Sequence, residues 1–130
     1  MLRGIIEIGG HEWEVREEKR AGPQNQLFSL TAVDTPRSRM HVRSFPGQPA
    51  GSLEEVELLA ADPQIRWFAD PAGVGWEARI VVRAEPNGLD TRLVKFISEQ
   101  HEVREGTYPF HDGLGGRTDE ELGRLLAAAS

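Results

Sequence analysis

The sequence predicts an α+β fold: a tandem duplication of one ββββα unit. Mostly antiparallel sheets would pack with pseudo-two-fold symmetry, one helix closing each repeat. Three observations lead there. First, when the chain is displaced so that Trp13-Glu14 falls on Trp76-Glu77, other matches follow in order: Arg3 on Arg66, Gly10 on Gly73, Arg16 on Arg79, Arg20-Ala21 on Arg83-Ala84, Pro23 on Pro86, Leu30 on Leu93, and Phe45-Pro46 on Tyr108-Pro109. Internal self-similarity of this kind decides architecture ahead of local propensity. Second, both halves consist of short apolar runs broken by Gly and Pro. Third, both halves end on a helix-start signature. Residues 1–63 form repeat one and 64–130 repeat two of a single domain. Chains of about 60 residues are marginal alone, so the repeats are expected to share one core.

Taken in order, Arg3–Ile8, Glu12–Arg20, Leu27–Val33 and Arg39–Phe45 read as strands, separated at Gly9-Gly10, Gly22-Pro23 and Asp34-Thr35-Pro36. In the second half Ile65–Asp70 is short and aromatic, and Pro71-Ala72-Gly73 breaks it. Trp76, Ala78, Ile80 and Val82 then alternate with charged neighbours, the period-2 pattern of a half-buried strand. Glu85-Pro86-Asn87-Gly88 is a turn, because Pro presets φ and Asn-Gly tolerates positive φ. Arg92–Ser98 and Glu102–Tyr108 complete the set. Ser52-Leu53-Glu54-Glu55 and Thr118-Asp119-Glu120-Glu121 each place a hydroxyl at the N-cap and an acid at N3. Those acids also complement the helix dipole. Val56, Leu59 and Ala60 form one apolar stripe, with Leu122, Leu125, Leu126 and Ala129 the other. Pro63 is expected to stop the first helix.

Charge narrows the function. Residues 1–63 hold 7 basic and 10 acidic side chains and residues 64–130 hold 8 and 11, so each half contributes −3 to a net charge of −6. An acidic chain is a poor non-specific binder of nucleic acid or anionic membrane. The absence of cysteine excludes disulfides, thiolate catalysis and Cys-based metal sites. No apolar run nears the about 20 residues that span a bilayer. A cytoplasmic location is expected, and the Arg-over-Lys bias with abundant Gly and Ala suggests a bacterial source.

No catalytic constellation emerges. The serines lack a nucleophile-elbow context, and the paired acids at 54–55 and 120–121 are explained by capping. His11, His41, His101 and His111 lack ligand spacing, so neither metal nor cofactor is expected. An enzyme built on His111, Asp112 and the Gly-rich loop is the weakest reading. Trp13 and Trp76 match as central core residues. Trp67, facing Gly4 in the alignment, is expected first as a packed core residue and is the better candidate of the three for an asymmetric role.

Two sets of residues carry the functional expectation. Gly115, Gly116, Arg117 and Thr118 run into a helix N-terminus, where backbone N–H groups and Arg117 suit a phosphate or carboxylate. The stretch lacks the Gly-Lys-Ser/Thr ending of a phosphate-binding loop. Its competing reading is a flexible linker with Thr118 as the cap. Arg37, Arg39, His41 and Arg43 form an acid-free stretch, whereas the matching Ser98–Glu105 is net acidic. On a strand, Arg39, His41 and Arg43 share a face. A fourth strand in a meander is expected at a sheet edge, where charge commonly blocks aggregation. The expected function is a non-catalytic interaction or accessory module, docking another protein through these charge-divergent edge strands as a subunit of a larger bacterial assembly. Self-association between basic and acidic surfaces is a second mode. The alternative is a small anionic or amphiphilic ligand held in a cleft between the repeats.

Overall fold

The computed structural model describes residues 2–18, 26–45 and 47–130; the expected break at Gly22-Pro23 lies outside them. Strands β1 (Arg3–Ile8), β2 (His11–Glu18), β3 (Leu27–Ala32) and β4 (Arg39–Arg43) precede helix α1 (Leu53–Leu59). Strands β5 (Ile65–Ala69), β6 (Gly75–Ala84), β7 (Asp90–Ser98) and β8 (Val103–Thr107) follow, then a 3-10 turn at Leu114–Gly116 and helix α2 (Asp119–Ala128). The fold is α+β, and all eight strands form one antiparallel sheet in chain order. The expected packing of separate sheets is therefore corrected. β4 pairs with β5 through Arg39↔Trp67, Met40↔Arg66 and His41↔Ile65, and the Gln64 N–H donates to the His41 carbonyl at 2.8 Å. Joining the two margins satisfies backbone groups that each half-sheet would otherwise leave open. The expectation that β4 is an edge strand falls with it: the margins of the sheet are β1 and β8.

Strand register sorts the side chains into two faces. One row, Gly4–Val15–Leu30–Met40–Arg66–Ala78–Phe96–Arg104, crosses all eight strands on the helix-covered side. The neighbouring row, Ile5–Glu14–Thr31–Arg39–Trp67–Glu77–Ile97–Val103, crosses on the opposite side. α1 packs on β1 and β4, and α2 on β5 and β8, so each helix spans the first and last strands of its own four-stranded unit. The apolar side chains accordingly form two clusters where one shared core was expected. Ile6, Trp13, Val15, Phe28, Leu30, Met40, Val42 and Val56 belong to the first. Phe68, Trp76, Val94, Phe96, Tyr108, Leu114, Leu122 and Leu126 belong to the second. A helix inserted after every fourth strand fills the concavity of its own unit before the next begins, leaving no common interior. Each large side chain fully buried this way contributes about 1.5–3 kcal/mol.

Local chemistry explains the boundaries. Gly9 and Gly10 take φ of 61° and 82° in the β1–β2 hairpin, which residues with a Cβ rarely adopt. Ser52 caps α1 through the Glu55 N–H, and Thr118 with Glu121 forms a complete capping box on α2. α1 ends at Ala60, ahead of the expected stop at Pro63, because its last carbonyls turn into contacts with the Gly113–Gly116 stretch. Register also corrects two sequence matches. Trp13 pairs with Ile6 but Trp76 with Phe68, so Arg66 occupies the place of Gly4, and Arg3 faces outward. Leu30 is buried in its row, whereas Leu93 lies on the other face.

Candidate functional site

The basic stretch lies where β4 meets β5. Met40 and Val42 are buried, so Arg39, His41 and Arg43 alternate onto the face that no helix covers. The Arg39 guanidinium lies 5.2 Å from the centre of the Trp67 ring, a cation–π contact. His41 meets the same ring edge-on at 4.7 Å. Arg37 donates to the Gly73 carbonyl at 2.6 Å. A groove of about 630 Å³ runs beside this cluster, lined by Arg37, Arg39, Trp67, Glu77, Ile97 and His101 among others. Four other strand arginines pair with carboxylates within the sheet, Arg16 with Glu14, Arg79 with Glu77, Arg83 with Glu105 and Arg104 with Glu102, whereas Arg92 bonds the Phe110 and His111 carbonyls and Arg3 has no carboxylate among the described residues. Among the described residues Arg39 and Arg43 have no such carboxylate. The matching acidic stretch is dispersed. Glu99 accepts from the Gly75 N–H at 3.2 Å, and β8 exchanges backbone bonds with Ser130 through Glu105.

The Gly-rich stretch is a packed part of the fold rather than a flexible linker. Leu114 and Gly115 are buried, and a Cβ on Gly115 would lie 1.7 Å from the Ala60 carbonyl oxygen. Only glycine permits that approach. Arg117 stacks 4.2 Å from the Phe110 ring centre and bonds Asp112 and Glu121 at 2.9 and 3.2 Å. The Thr118 hydroxyl accepts from the Glu121 N–H at 3.1 Å. Most donors expected to meet an anion are thus engaged within the chain.

Between the two halves lies a residue that sequence reasoning passed over. Arg66 is only 1% exposed. Its guanidinium donates to the carbonyls of Trp67 and Arg117 at 2.6 and 3.2 Å and to Asp119 Oδ1 at 2.9 Å, and lies 5.0 Å from the Trp13 ring centre. The Ser38 hydroxyl takes the other Asp119 oxygen. Burial pulls the Arg66 pKa below its ordinary value, and the Asp119 charge and hydrogen bond oppose that. The signal was present: in Ile65-Arg66-Trp67-Phe68, period-2 spacing places Arg66 on the same face as the core residue Phe68.

The matched tryptophans are both core residues and differ at the indole. Trp76 Nε1 donates to Asp70 Oδ2 at 2.9 Å. Burial raises the Asp70 pKa, but that indole and the Val74, Ala72 and Gly73 N–H groups more than offset it and leave the carboxyl below its usual value. Trp13 Nε1 has no acceptor among the described residues. Its shorter β1–β2 hairpin contains no counterpart of Asp70. Tyr108 is buried, its hydroxyl has no partner among the described residues, and burial pushes its pKa up to about 12.

His11, His101 and His111 are exposed and lie on separate segments. Asp112, beside His111, pairs with Arg117. Among the described residues no three His, Asp or Glu side chains gather as metal ligands, and no helix is long and apolar enough to cross a membrane. Comparison of the chain with protein-family models, curated proteins and solved structures found no match in any of the three.

Proposed function

We propose that this protein is a non-catalytic accessory module that docks an acidic segment of another protein on the uncovered face of its sheet. The observation that carries the reading is that Arg39 and Arg43, on one strand beside Trp67, have no carboxylate partner among the described residues, while Arg16, Arg66, Arg79, Arg83 and Arg104 on other strands do. Trp67 and the adjoining groove supply apolar area beside those charges, and an aromatic with arginine is the composition that dominates binding hot spots. Docking uses the middle of the sheet at the β4–β5 seam rather than edge strands. We also infer that the chain arose by duplication of a ββββα unit. The twice-repeated element order and the equivalent seating of α1 and α2 support this. Divergence after duplication would then account for one unit carrying the basic strip.

Native mass spectrometry of tagged protein from its own host, at low ionic strength, tests the docking reading. The expected result is a salt-sensitive complex with an acidic partner that Arg39→Glu with Arg43→Glu weakens by at least about tenfold, as like charges replace complementary ones. Circular dichroism and the urea midpoint should stay unchanged, since both side chains are exposed. Retention of the same complex by the double variant refutes the reading.

A further inference from the structure

We propose that the uncovered face of the first unit pairs with the same face of a second copy of this chain, across a two-fold axis running along β3. The inference rests on the docking reading above and names its acidic segment: β2 of the second copy. It follows from an order of side chains that strand register creates. Across β1 to β5 one outward row reads Ile5, Glu14, Thr31, Arg39, Trp67. The order is apolar, acid, neutral, base, apolar, with Thr31 of β3 at its centre. Four residues away along the strands, Glu18, Leu27 and Arg43 repeat acid, neutral, base.

Half a turn about β3 exchanges β2 with β4 and β1 with β5 and keeps each row at its own height. Laid face to face, the copies set Glu14 over Arg39 and Glu18 over Arg43 of the second copy. A two-fold contact is self-complementary, so each pair recurs with the copies exchanged. The same operation sets Ile5 over Trp67 of the second copy on both flanks. The row between, Arg3, Arg16, Ser29, His41, Ile65, sets Arg16 over His41 of the second copy, where Glu14 and Glu18 flank that arginine on its own strand. Few contacts within the chain compete. Arg39 and Arg43 have no carboxylate among the described residues. Glu14 meets only Arg16, at 4.0 Å and with both side chains more than half exposed, which is worth little. Glu18 accepts from the Ser29 hydroxyl at 2.7 Å through one oxygen. Ile5 is a large apolar residue in mid-strand, yet it is 55% exposed.

The second unit does not repeat the order. Its outward rows are Glu77–Ile97–Val103, Arg79–Lys95–Glu105 and Val81–Leu93–Thr107, and Arg79 and Arg83 pair with Glu77 and Glu105 inside the unit. Size is consistent with a reversible contact. Strands β1 to β5 hold 30 residues, and at about 3.3 by 4.8 Å each they give a footprint of about 480 Å² per copy. Two such faces total about 950 Å², near the lower limit of a specific interface and far below an obligate one. Stacked sheets lie about 10 Å apart, a gap that a Glu and an Arg side chain bridge together. Each copy carries −6, so the copies repel at a distance. At about 0.1 M salt the Debye length is about 10 Å, and the local pairs decide.

Sedimentation equilibrium of the purified full chain at about 0.1 M salt tests the inference. The wild type should exchange between monomer and dimer with a Kd of about 10–500 µM. Arg39→Glu with Arg43→Glu should weaken the dimer at least about tenfold, and so should Glu14→Arg with Glu18→Arg, because each sets like charges face to face. Mixed one to one, the two variants should form a heterodimer with near wild-type affinity, since each offers the charge the other has lost. A dilution series of ¹⁵N-labelled wild type gives a reading that needs no variant to fold. The Trp67 indole signal should move with concentration, and those of Trp13 and Trp76, buried on the other side of the sheet, should stay. A wild type still monomeric at about 2 mM, above any Kd expected for this area, overturns the inference. So does a dimer that the reversals leave intact, or a failure of the two folded variants to pair. Failure of the docking reading shows elsewhere, in a host complex that survives the Arg39 and Arg43 reversal.

Discussion

Gly115→Ala is the sharpest probe of how the two halves hold together. Its Cβ would lie 1.7 Å from the Ala60 carbonyl oxygen and 2.8 Å from the Ala60 carbonyl carbon. An ordinary contact needs about twice the shorter distance, so the 3-10 turn and the end of α1 must separate by well over 1 Å. Both sides of the clash are backbone, and no rotamer change relieves it. Overpacking costs about 1–3 kcal/mol where side chains can adjust; here the upper end, about 3 kcal/mol, is expected. With a urea m-value of about 1.5 kcal/mol/M, the midpoint should fall by about 2 M. Because the apolar clusters belong one to each half, loosening the seam should also lower the apparent m-value, the two halves no longer unfolding as one. Gly51→Ala, where nothing lies within 4 Å, is the control and should shift stability by no more than about 0.5 kcal/mol. A Gly115→Ala protein with wild-type midpoint and slope would refute the claim that this contact joins the halves.

Two ionisable groups give predictions at opposite ends of the pH scale. The folded-state pKa of Asp70 is lowered, so its stabilisation is present above the ordinary Asp pKa of about 3.9 and is lost as pH falls through the folded value. Asp70→Asn should flatten that acid limb in urea midpoints measured across the range. Tyr108 is raised to about 12. Its contribution is complete below the ordinary pKa of about 10 and is lost as pH rises through the folded value. It is the chain's one tyrosine, so phenolate absorbance reports it directly. Tyr108→Phe should remove the alkaline dependence and, since the hydroxyl has no partner among the described residues, match or exceed wild-type stability near neutral pH by up to about 1 kcal/mol.

Strand and helix positions were legible because they depend on local pattern. The Trp76–Ala78–Ile80 alternation, the turn at Asn87-Gly88 and the two N-caps at Ser52 and Thr118 stand as expected, but Val82, expected on the buried side with them, is exposed. How the elements assemble was not legible. Whether β4 ends a sheet or joins β5 depends on a three-residue pairing that leaves no periodic trace. Identity at a fixed offset also misled where register slips by one residue, as with Arg3 and Arg66. For the site, Arg39, His41 and Arg43 could be placed on one face from spacing alone. Their contact with Trp67 depends on the β4–β5 pairing. The Gly113–Gly116 stretch looked flexible because glycine marks loops and tight approaches alike, and only the position of Ala60 tells them apart.

The differences between the two units concentrate where they meet. The place that Gly4 holds in the first unit, pressed under Leu53 of α1, is held in the second by Arg66. In the second unit the glycine is Gly106, on the last strand, under Ala129, which caps the C-terminus of α2. Each helix thus sits over a glycine, but on opposite margins of its unit. That frees the β5 position nearest the first unit for a long side chain, which crosses beneath the Trp13 ring and bonds the start of α2 through Asp119. A buried guanidinium adds little net stability against an apolar replacement of similar size, while losing one partner from such a pair costs several kcal/mol. Its presence therefore points to specificity: the Nη bonds and ring contact of Arg66 form only when the first unit's Trp13, the β5 backbone and the α2 N-terminus are all in place.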